Sequence, residues 1–143
     1  MKIGIASDHR GYKLKEELKT ELNYELIDYG TNSEASCDYP EFAFKLGEAV
    51  VNKEVDFGVA ICGSGLGISI ACNKVKGVRC AKVIDIEEAK TTRYDNDANI
   101  VALSEKTSLE DAIDIINIFV NSPFSNVEKH KRRINEITAY EEN

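Results

Sequence analysis

The most informative segment of this chain is Phe57-Gly58-Val59-Ala60-Ile61-Cys62-Gly63-Ser64-Gly65-Leu66-Gly67-Ile68-Ser69. It begins as an apolar, β-branched run, which predicts a strand buried on both faces over Phe57–Ile61. Three glycines follow at alternate positions, and Ile68–Lys74 then predicts a short helix. The segment therefore predicts a buried strand that turns tightly into a helix, as in parallel α/β folds.

The glycine turn has two properties that favour a functional site. A turn between a strand and a helix N-terminus leaves backbone N–H groups unpaired around a small hollow, and such a hollow attracts an anion. Cys62 lies at the carboxyl end of the strand, where the positive end of the helix dipole favours a thiolate. We therefore predict an activated thiol beside an anion hole. The alternative is a tight connection that binds no ligand.

Apolar runs alternate with amphipathic segments along the rest of the chain. The predicted strands are Lys2–Ala6, Glu25–Asp28, Phe57–Ile61, Val78–Val83 and Asn99–Leu103. The predicted helices are Tyr12–Leu22, Phe42–Val51, Ile68–Lys74, Ile86–Arg93, a helix capped by Ser108 that ends at Val120, and Val127–Glu142. This alternation predicts an α/β fold, a three-layer α/β/α sandwich with a five-stranded parallel Rossmann-like sheet and a C-terminal helix. We expect a single domain over 1–143.

The carboxyl ends of the strands are the expected place for a ligand, because parallel sheets bind ligands at that edge. The residues that we expect on this rim are Asp8, His9, Cys62–Gly67, Asp85 and Lys106. Taken alone, the pair Asp8-His9 is as compatible with a helix cap as with a binding site. Together with Cys62 it predicts hydrogen bonds to ligand hydroxyl groups and a partial positive charge.

Composition excludes several classes of function. A formal net charge of −7 argues against a general nucleic-acid binder, so an anionic ligand needs a local cluster of positive groups. No apolar run approaches the roughly 20 residues that span a bilayer, and the start of the chain is too short for a signal peptide, which predicts a cytoplasmic location. The four cysteines form no CxxC pair and there are two histidines, so zinc-ligand spacing is absent and free thiols are expected.

Two further patterns have competing interpretations. One alternative interpretation is dinucleotide binding, which uses a strand, a glycine turn and a helix, followed by an acidic residue about 20 residues after the turn. Asp85 is the acidic residue at that distance. Against this, the glycines are spaced GxGxG rather than GxGxxG, and they lie in the third strand–helix unit. The basic run Lys129–Arg133 is typical of a solvated helix face. Because Lys129 and Arg133 are four residues apart, they share one helix face and could also clamp a phosphate.

A set of motifs spread over nearly the whole chain resembles one known family. The motifs are Ser7-Asp8-His9, Asp38-Tyr39-Pro40, Ile61-Cys62-Gly63-Ser64-Gly65-Leu66-Gly67-Ile68-Ser69, Asn73-Lys74, Gly77-Val78-Arg79 and Asn96-Asp97-Ala98-Asn99. Their order and spacing are similar to those of the type B ribose-5-phosphate isomerases, a family that also contains galactose-6-phosphate and allose-6-phosphate isomerases.

The resemblance implies an aldose–ketose isomerase of a phosphorylated sugar that uses no metal and no cofactor. Cys62 would act as the base that moves a proton between neighbouring carbons, while amides of the loop Gly63–Gly67 meet the enediolate oxygen. The hydroxyl of Ser64, in the same loop, is a further catalytic group that the resemblance implies. The substrate-binding residues that it implies are Asp8, His9, Tyr39, Gly63, Ser64, Gly65, Leu66, Gly67, Ser69, Asn96, Lys106, Lys129 and Arg133. It also implies a homodimer or a pair of dimers, with the groups around Asn96 reaching into the partner's pocket.

Three departures from the family pattern bear on the substrate. Asp95 stands where ribose-phosphate members commonly have a histidine thought to open the furanose ring, so Asp95 becomes the candidate for that role. Lys106 and Lys129 replace arginines, which keeps the charge but loses the bidentate fork. The segment before the last helix, Val127–His130, has no glycine. The favoured reaction is ribose 5-phosphate to ribulose 5-phosphate. The alternatives are a six-carbon substrate (galactose or allose 6-phosphate) and a non-catalytic sugar-phosphate-binding protein.

Overall fold

The computed structural model describes residues 1–142, and they form one parallel sheet between two layers of helices. The strands are β1 Lys2–Ser7, β2 Glu25–Asp28, β3 Phe57–Cys62, β4 Cys80–Lys82 and β5 Ile100–Ser104. The helices are α1 Tyr12–Glu21, α2 Tyr39–Val51, α3 Leu66–Cys72, α4 Ile86–Asn96, α5 Leu109–Asn121 and α6 Glu128–Glu141. The predicted α/β fold with a five-stranded parallel sheet and a C-terminal helix is confirmed.

The strand order β2-β1-β3-β5-β4 fixes which face each helix covers. Parallel crossovers are right-handed, so a connection that runs towards one edge of the sheet lies on the opposite face from a connection that runs towards the other. Accordingly, α2 and α3 pack on one face, and α1, α4 and α5 pack on the other. The connections leave β1 and β3 in opposite directions, which opens a crevice between the carboxyl ends of these two strands.

The two faces of the central strands carry side chains of different size. Val59 and Ile61 point towards α1 and α5, whereas Ala60 and Cys62 belong to the core beneath α2 and α3. On the α2 face a Cβ at Gly58 would lie 3.1 Å from Leu46 Cδ1 of α2. Small residues therefore let α2 approach the sheet closely, and the same alternation aims Cys62 to the α2–α3 side at the end of β3.

Some predicted element boundaries were wrong, each for a local physical reason. Helix α2 begins at Tyr39 rather than Phe42, because Pro40 fits the first helical turn. Helix α3 begins at Leu66 rather than Ile68, because Gly65 at φ 78° completes the turn at once. Strand β4 is limited to Cys80–Lys82, since Val78 is buried in a turn and not in the ladder.

Within residues 1–142, no helix is both long and apolar enough to cross a membrane. The cytoplasmic location expected from the sequence stays a prediction.

Candidate active site

A cavity of about 960 Å³ opens at the carboxyl edge of the sheet, over β1, β3 and β5. Its lining residues are Asp8, His9, Arg10, Cys37, Asp38, Tyr39, Pro40, Cys62, Gly63, Ser64, Leu66, Gly67, Lys82, Ser104 and Lys106. The loop after β1 supplies Asp8, His9 and Arg10, and the loop after β3 supplies Gly63 and Ser64. A cavity therefore lies at the edge of the sheet where the sequence predicts a ligand, and Cys62 is on its wall.

Cys62 places a buried thiol on the wall of this cavity. It is the last residue of β3 and is only 4% exposed, so its sulfur is held in place by the core around it. The backbone N–H of Gly65 donates to Cys62 Sγ over 3.2 Å. The glycine turn therefore curls back on the cysteine and gives a thiolate one fixed hydrogen-bond donor.

The loop amides are arranged differently from the predicted anion hole. Besides the Gly65 amide that is directed at the sulfur, the amide of Leu66 donates to Ser64 Oγ over 3.1 Å. These two N–H groups already have partners, so they are not free donors for a ligand. The base of the loop is fixed by Ser104, whose hydroxyl donates to the carbonyl of Gly63 over 2.8 Å. The hydrogen bonds of the loop therefore fix the positions of Cys62 and Ser64.

The sequence left open whether the pair Asp8-His9 serves as a helix cap or as a binding site. Asp8 Oδ1 accepts the backbone N–H groups of Arg10 and Gly11, both at 3.0 Å, so this side chain caps the turn before α1. His9 Nδ1 accepts the N–H of Cys37 at 3.3 Å. A neutral His9 therefore carries its proton on Nε2, which makes that nitrogen a donor. Both residues also line the cavity.

Tyr39 lines the cavity, and its ring lies against Gly67, which leaves room for it. A Cβ at Gly67 would lie 2.6 Å from Tyr39 Cζ, closer than real Cβ atoms approach. Ser64, Leu66 and Gly67 line the cavity as expected, whereas Gly65 and Ser69 do not. Gly65 serves the turn, with a positive φ that favours glycine.

Three cations face the cavity, of which the sequence predicted Lys106. The two that it missed are Arg10 and Lys82. Arg10 directly follows Asp8-His9, and Lys82 ends β4, so their positions at strand ends were the signal that could have found them. The hydrogen bond and charge of Glu105 raise the pKa of Arg10, and the hydrogen bond from Arg10 lowers the pKa of Glu105.

Three of the remaining predicted residues line a second groove of about 870 Å³ between α4, α6 and β4. Asp95, Asn96 and Arg133 line this groove together with His130. Lys129 is exposed on α6 and lines neither the groove nor the cavity. Within one chain, then, the structure does not bring the predicted phosphate clamp to Cys62.

Asp95 has a neighbour that the sequence did not predict. Its Oδ1 lies 3.6 Å from Nε2 of His130, an ion-pair distance, and His130 Nδ1 lies 3.1 Å from Ser125 Oγ. The ring of Tyr94 meets the imidazole edge-on, with centroids 6.2 Å apart. The position of the expected ring-opening group is therefore occupied by a carboxylate beside an imidazole.

Asp85, expected on the rim, is instead the N-cap of α4. Its carboxylate accepts the N–H of Glu88 at 2.9 Å, and Asp85 does not line the cavity. This is a correction to the predicted rim, and it removes the acidic residue on which the dinucleotide interpretation depended. No cluster of three or more His, Cys, Asp or Glu side chains in the described part of the chain could hold a metal ion.

The fold and the cavity define a class: a parallel α/β protein with one buried thiol and three cations on the wall of a cavity at the carboxyl edge of its sheet. A family model described as Ribose/Galactose Isomerase matches residues 3–137. The chain belongs to the ribose/galactose isomerase family. The predicted resemblance and the isomerase class are thereby confirmed.

Known proteins resemble this chain along nearly its whole length. A putative sugar phosphate isomerase of Bacillus subtilis is 45% identical over 99% of this chain and 98% of its own. The solved structure of Clostridium thermocellum ribose-5-phosphate isomerase B has a TM-score of 0.95 and 46% identity, covering 99% of this chain and 98% of that one. That of Mycoplasma genitalium ribose-5-phosphate isomerase B, with bound ribulose-5-phosphate, has a TM-score of 0.89 and 39% identity, covering 99% and 97%.

Proposed function

We propose that this protein interconverts ribose 5-phosphate and ribulose 5-phosphate, with Cys62 as the base. The observation that carries the proposal is the Cys62 sulfur, fixed at the cavity wall with the Gly65 amide directed at it. The names of the Clostridium thermocellum and Mycoplasma genitalium relatives support the substrate, as does the ribulose-5-phosphate bound to the latter.

The proposed reaction is a proton transfer between two carbons of the open-chain sugar. The Cys62 thiolate takes the proton from C2 of the aldose, and the C–H electron pair forms the C1–C2 double bond of an enediolate. The C2 hydroxyl gives its proton to O1, the thiol returns the first proton to C1, and the C2 oxygen becomes the carbonyl, so no oxidant or reductant is consumed. A positioned general base of this kind contributes roughly 10²–10⁴ to the rate.

The sugar hydroxyls and the developing oxyanion need donors from the cavity wall. In this proposal the Ser64 hydroxyl, the protonated Nε2 of His9 and the Tyr39 hydroxyl supply them, and Lys106 adds positive charge. A single donor to an oxyanion is typically worth about 3–4 kcal/mol of barrier. The location of all four residues on one cavity supports these assignments.

We further propose a single-domain chain that works as a homodimer or a pair of dimers with shared sites. Asn96 and Arg133 line a groove separate from the cavity, so they would serve Cys62 of a second copy. Lys129 lies on the same helix as Arg133 and would accompany it. Exposed apolar side chains on α6, Ile137 at 50% and Tyr140 at 81%, are consistent with a covered surface.

Subunit mixing tests this arrangement. Cys62→Ala and Arg133→Gln proteins, each inactive or weak alone, are mixed under conditions of subunit exchange. If each site combines Cys62 of one copy with Arg133 of the other, half of the molecules become mixed dimers with one intact site, and about a quarter of the wild-type activity returns. Native mass spectrometry shows whether mixed dimers have formed. If they have formed and no activity returns, the shared site is contradicted.

Two specific features favour alternative functions. Asp95 in place of a histidine and lysine at position 106 favour a six-carbon sugar phosphate or a binding protein without catalysis. A panel of five- and six-carbon aldose and ketose phosphates, followed by NMR in deuterated water, separates them. We expect carbon-bound deuterium and isomer formation with ribose 5-phosphate. Calorimetric binding without any proton exchange would instead identify a non-catalytic sugar-phosphate binder.

A further inference from the structure

Arg10 lies on the wall of the cavity that contains Cys62, and it is held at both ends. Its backbone N–H donates to Asp8 Oδ1 over 3.0 Å. Its guanidinium makes two bonds to one carboxylate, Nε to Glu105 Oε2 at 2.7 Å and Nη2 to Glu105 Oε1 at 3.1 Å. The two residues are 95 positions apart in the chain and come from the loops after β1 and β5.

Glu105 occupies only one edge of the guanidinium. An arginine side chain has five N–H donors, and the bonds to Glu105 use the edge formed by Nε and Nη2. The other edge, formed by Nη1 and Nη2, is a second fork of two parallel donors. Among residues 1–142 no acceptor hydrogen-bonds to Arg10 Nη1, and the side chain is 55% exposed.

The guanidinium also lies along the loop that carries the thiol. A Cβ at Gly63 would stand 3.4 Å from Arg10 Cζ and 3.7 Å from Nη1. The absence of a side chain at Gly63 therefore leaves the guanidinium beside the residue that follows Cys62. Arg10 and Cys62 therefore line the same cavity, with the guanidinium beside the loop that carries the sulfur.

We propose that Arg10 binds the phosphate of the sugar substrate through this free fork, and that Glu105 is the positioning residue that holds the guanidinium. The assignment rests on the proposed function, which supplies a phosphorylated sugar. A planar fork matches two phosphate oxygens, and such charge-assisted pairs are stronger than neutral hydrogen bonds.

The other two cations of the cavity are less suited to this role. Lys82 and Lys106 are point charges on flexible stems, and neither forms an ion pair within the described residues. Each must therefore lose side-chain freedom to bind an anion. Arg10 is already ordered by Glu105, and its fork gives direction as well as charge. In a chain with a net charge of −7, such a local donor is what an anionic ligand requires.

The main test compares Arg10→Gln and Arg10→Lys with Lys13→Gln. Lys13 is an exposed lysine of the neighbouring crevice that does not line the cavity, so it controls for the loss of one nearby charge. Inorganic phosphate is the probe, by calorimetry and as a competitive inhibitor. We expect Arg10→Gln to weaken phosphate binding and raise KM about tenfold or more, with Arg10→Lys intermediate and kcat changed less than about threefold.

Glu105 is tested through its dependence on Arg10. Glu105→Gln changes the phosphate inhibition constant in the wild-type background, and the same change has no effect when Arg10 is already Gln. This non-additivity is the signature of a residue that acts through another. Equal effects of Glu105→Gln in both backgrounds would overturn its positioning role.

The outcomes separate this proposal from a purely structural ion pair. If Arg10→Gln lowers the melting temperature but leaves phosphate binding and KM within about twofold of Lys13→Gln, Arg10 is structural and the proposal fails. A loss of kcat with unchanged phosphate inhibition would also overturn it, by assigning Arg10 to the enediolate. Calorimetry with phosphate reports on Arg10 even if the wild-type protein isomerises no sugar, so failure of the proposed function is seen separately.

Discussion

At the scale of single residues, Cys62 and Cys80 have different surroundings, and these give their thiols different chemical properties. Cys62 faces the cavity with an amide donor on its sulfur. A hydrogen bond with Cys72, together with burial, raises the pKa of Cys80 well above its usual range. Cys80 therefore stays a protonated, unreactive thiol at neutral pH.

We expect Cys62→Ser to lower kcat by about 10³-fold or more, because a hydroxyl is a far weaker base than a thiolate. Cys80→Ser is the matched control and should keep most of the activity. The measurement is ribose 5-phosphate turnover by NMR, with stability followed by circular dichroism. A Cys62→Ser enzyme that retains most of its rate would remove Cys62 as the base.

Asp95 is the second residue whose chemistry can be tested directly. A carboxylate accepts a proton at neutral pH but is a poor donor, and ring opening needs both. Asp95→His is expected to raise turnover of ribose 5-phosphate by about tenfold at most. Ribulose 5-phosphate is acyclic, because its O5 carries the phosphate, so its C1 deuterium exchange should change little.

The control for this substitution is Glu136→His, which removes a negative charge from the same groove. It should leave the ratio of the two rates unchanged. If Asp95→His changes ribose 5-phosphate turnover and ribulose 5-phosphate exchange equally, Asp95 has no part in ring opening. In that case the contact between Asp95 and His130 serves only to join α4 to α6.

At the scale of elements, the turn between β3 and α3 depends on two glycines for different reasons. Gly65 has φ 78°, and a Cβ there would lie 2.9 Å from the backbone carbonyl carbon of Leu103. Gly67 has no such constraint from the backbone; its Cβ would meet the ring of Tyr39, a side chain that can move. Gly65 is therefore required for the backbone of the turn, and Gly67 leaves the space that the ring of Tyr39 occupies beside the cavity.

We expect Gly65→Ala to lower the free energy of unfolding by about 2–4 kcal/mol, the sum of a left-handed alanine and a clash that backbone cannot relieve. Gly67→Ala should cost about 1 kcal/mol while raising KM, because it displaces Tyr39. Urea unfolding and steady-state kinetics measure the two effects. Similar stability for both variants would refute the assigned division of roles.

For the molecule as a whole, an ion cluster between α1 and β2 links stability to pH. Lys15, whose side chain is fully buried, donates to Asp28 over 2.6 Å, and Lys19 donates to the same oxygen over 2.8 Å. Burial raises the pKa of Asp28, but the hydrogen bonds from Lys15 and Lys19 outweigh it, so that pKa is lowered. A carboxyl group with a lowered folded-state pKa stabilises the fold above its unfolded pKa of about 3.9, and the contribution is lost as the pH falls through the folded value.

Asp28→Asn should therefore lower the free energy of unfolding at pH 7 by about 3 kcal/mol, because it leaves the buried Lys15 short of a charged partner. The stability of the variant should also fall less steeply than that of the wild type below about pH 4. Glu16→Gln is the control, since Glu16 is 38% exposed and its ion pair should contribute less than about 1 kcal/mol. Equal losses in the two variants would show that burial of Lys15 does not matter.

Much of this protein follows from local patterns in the sequence. The apolar runs located the central strands, because burial on both faces leaves a continuous apolar signal. The edge strand Glu25–Asp28 was also placed to the residue. The glycine turn and Cys62 followed from the same kind of signal, since tight turns require glycine. The motifs around them were enough to place the chain in its family.

Other features of the fold and the site were decided by long-range packing, because no local pattern encodes which distant segments come into contact. The order of the strands and the faces of α4 and α5 depend on crossover handedness across the whole sheet. The bond between Arg10 and Glu105 joins the loops that follow two separate strands. Asp85 caps α4 instead of lining the cavity. The division of the predicted site residues between a cavity and a separate groove likewise arises only when α6 packs beside α4, since helix position is set by tertiary contacts.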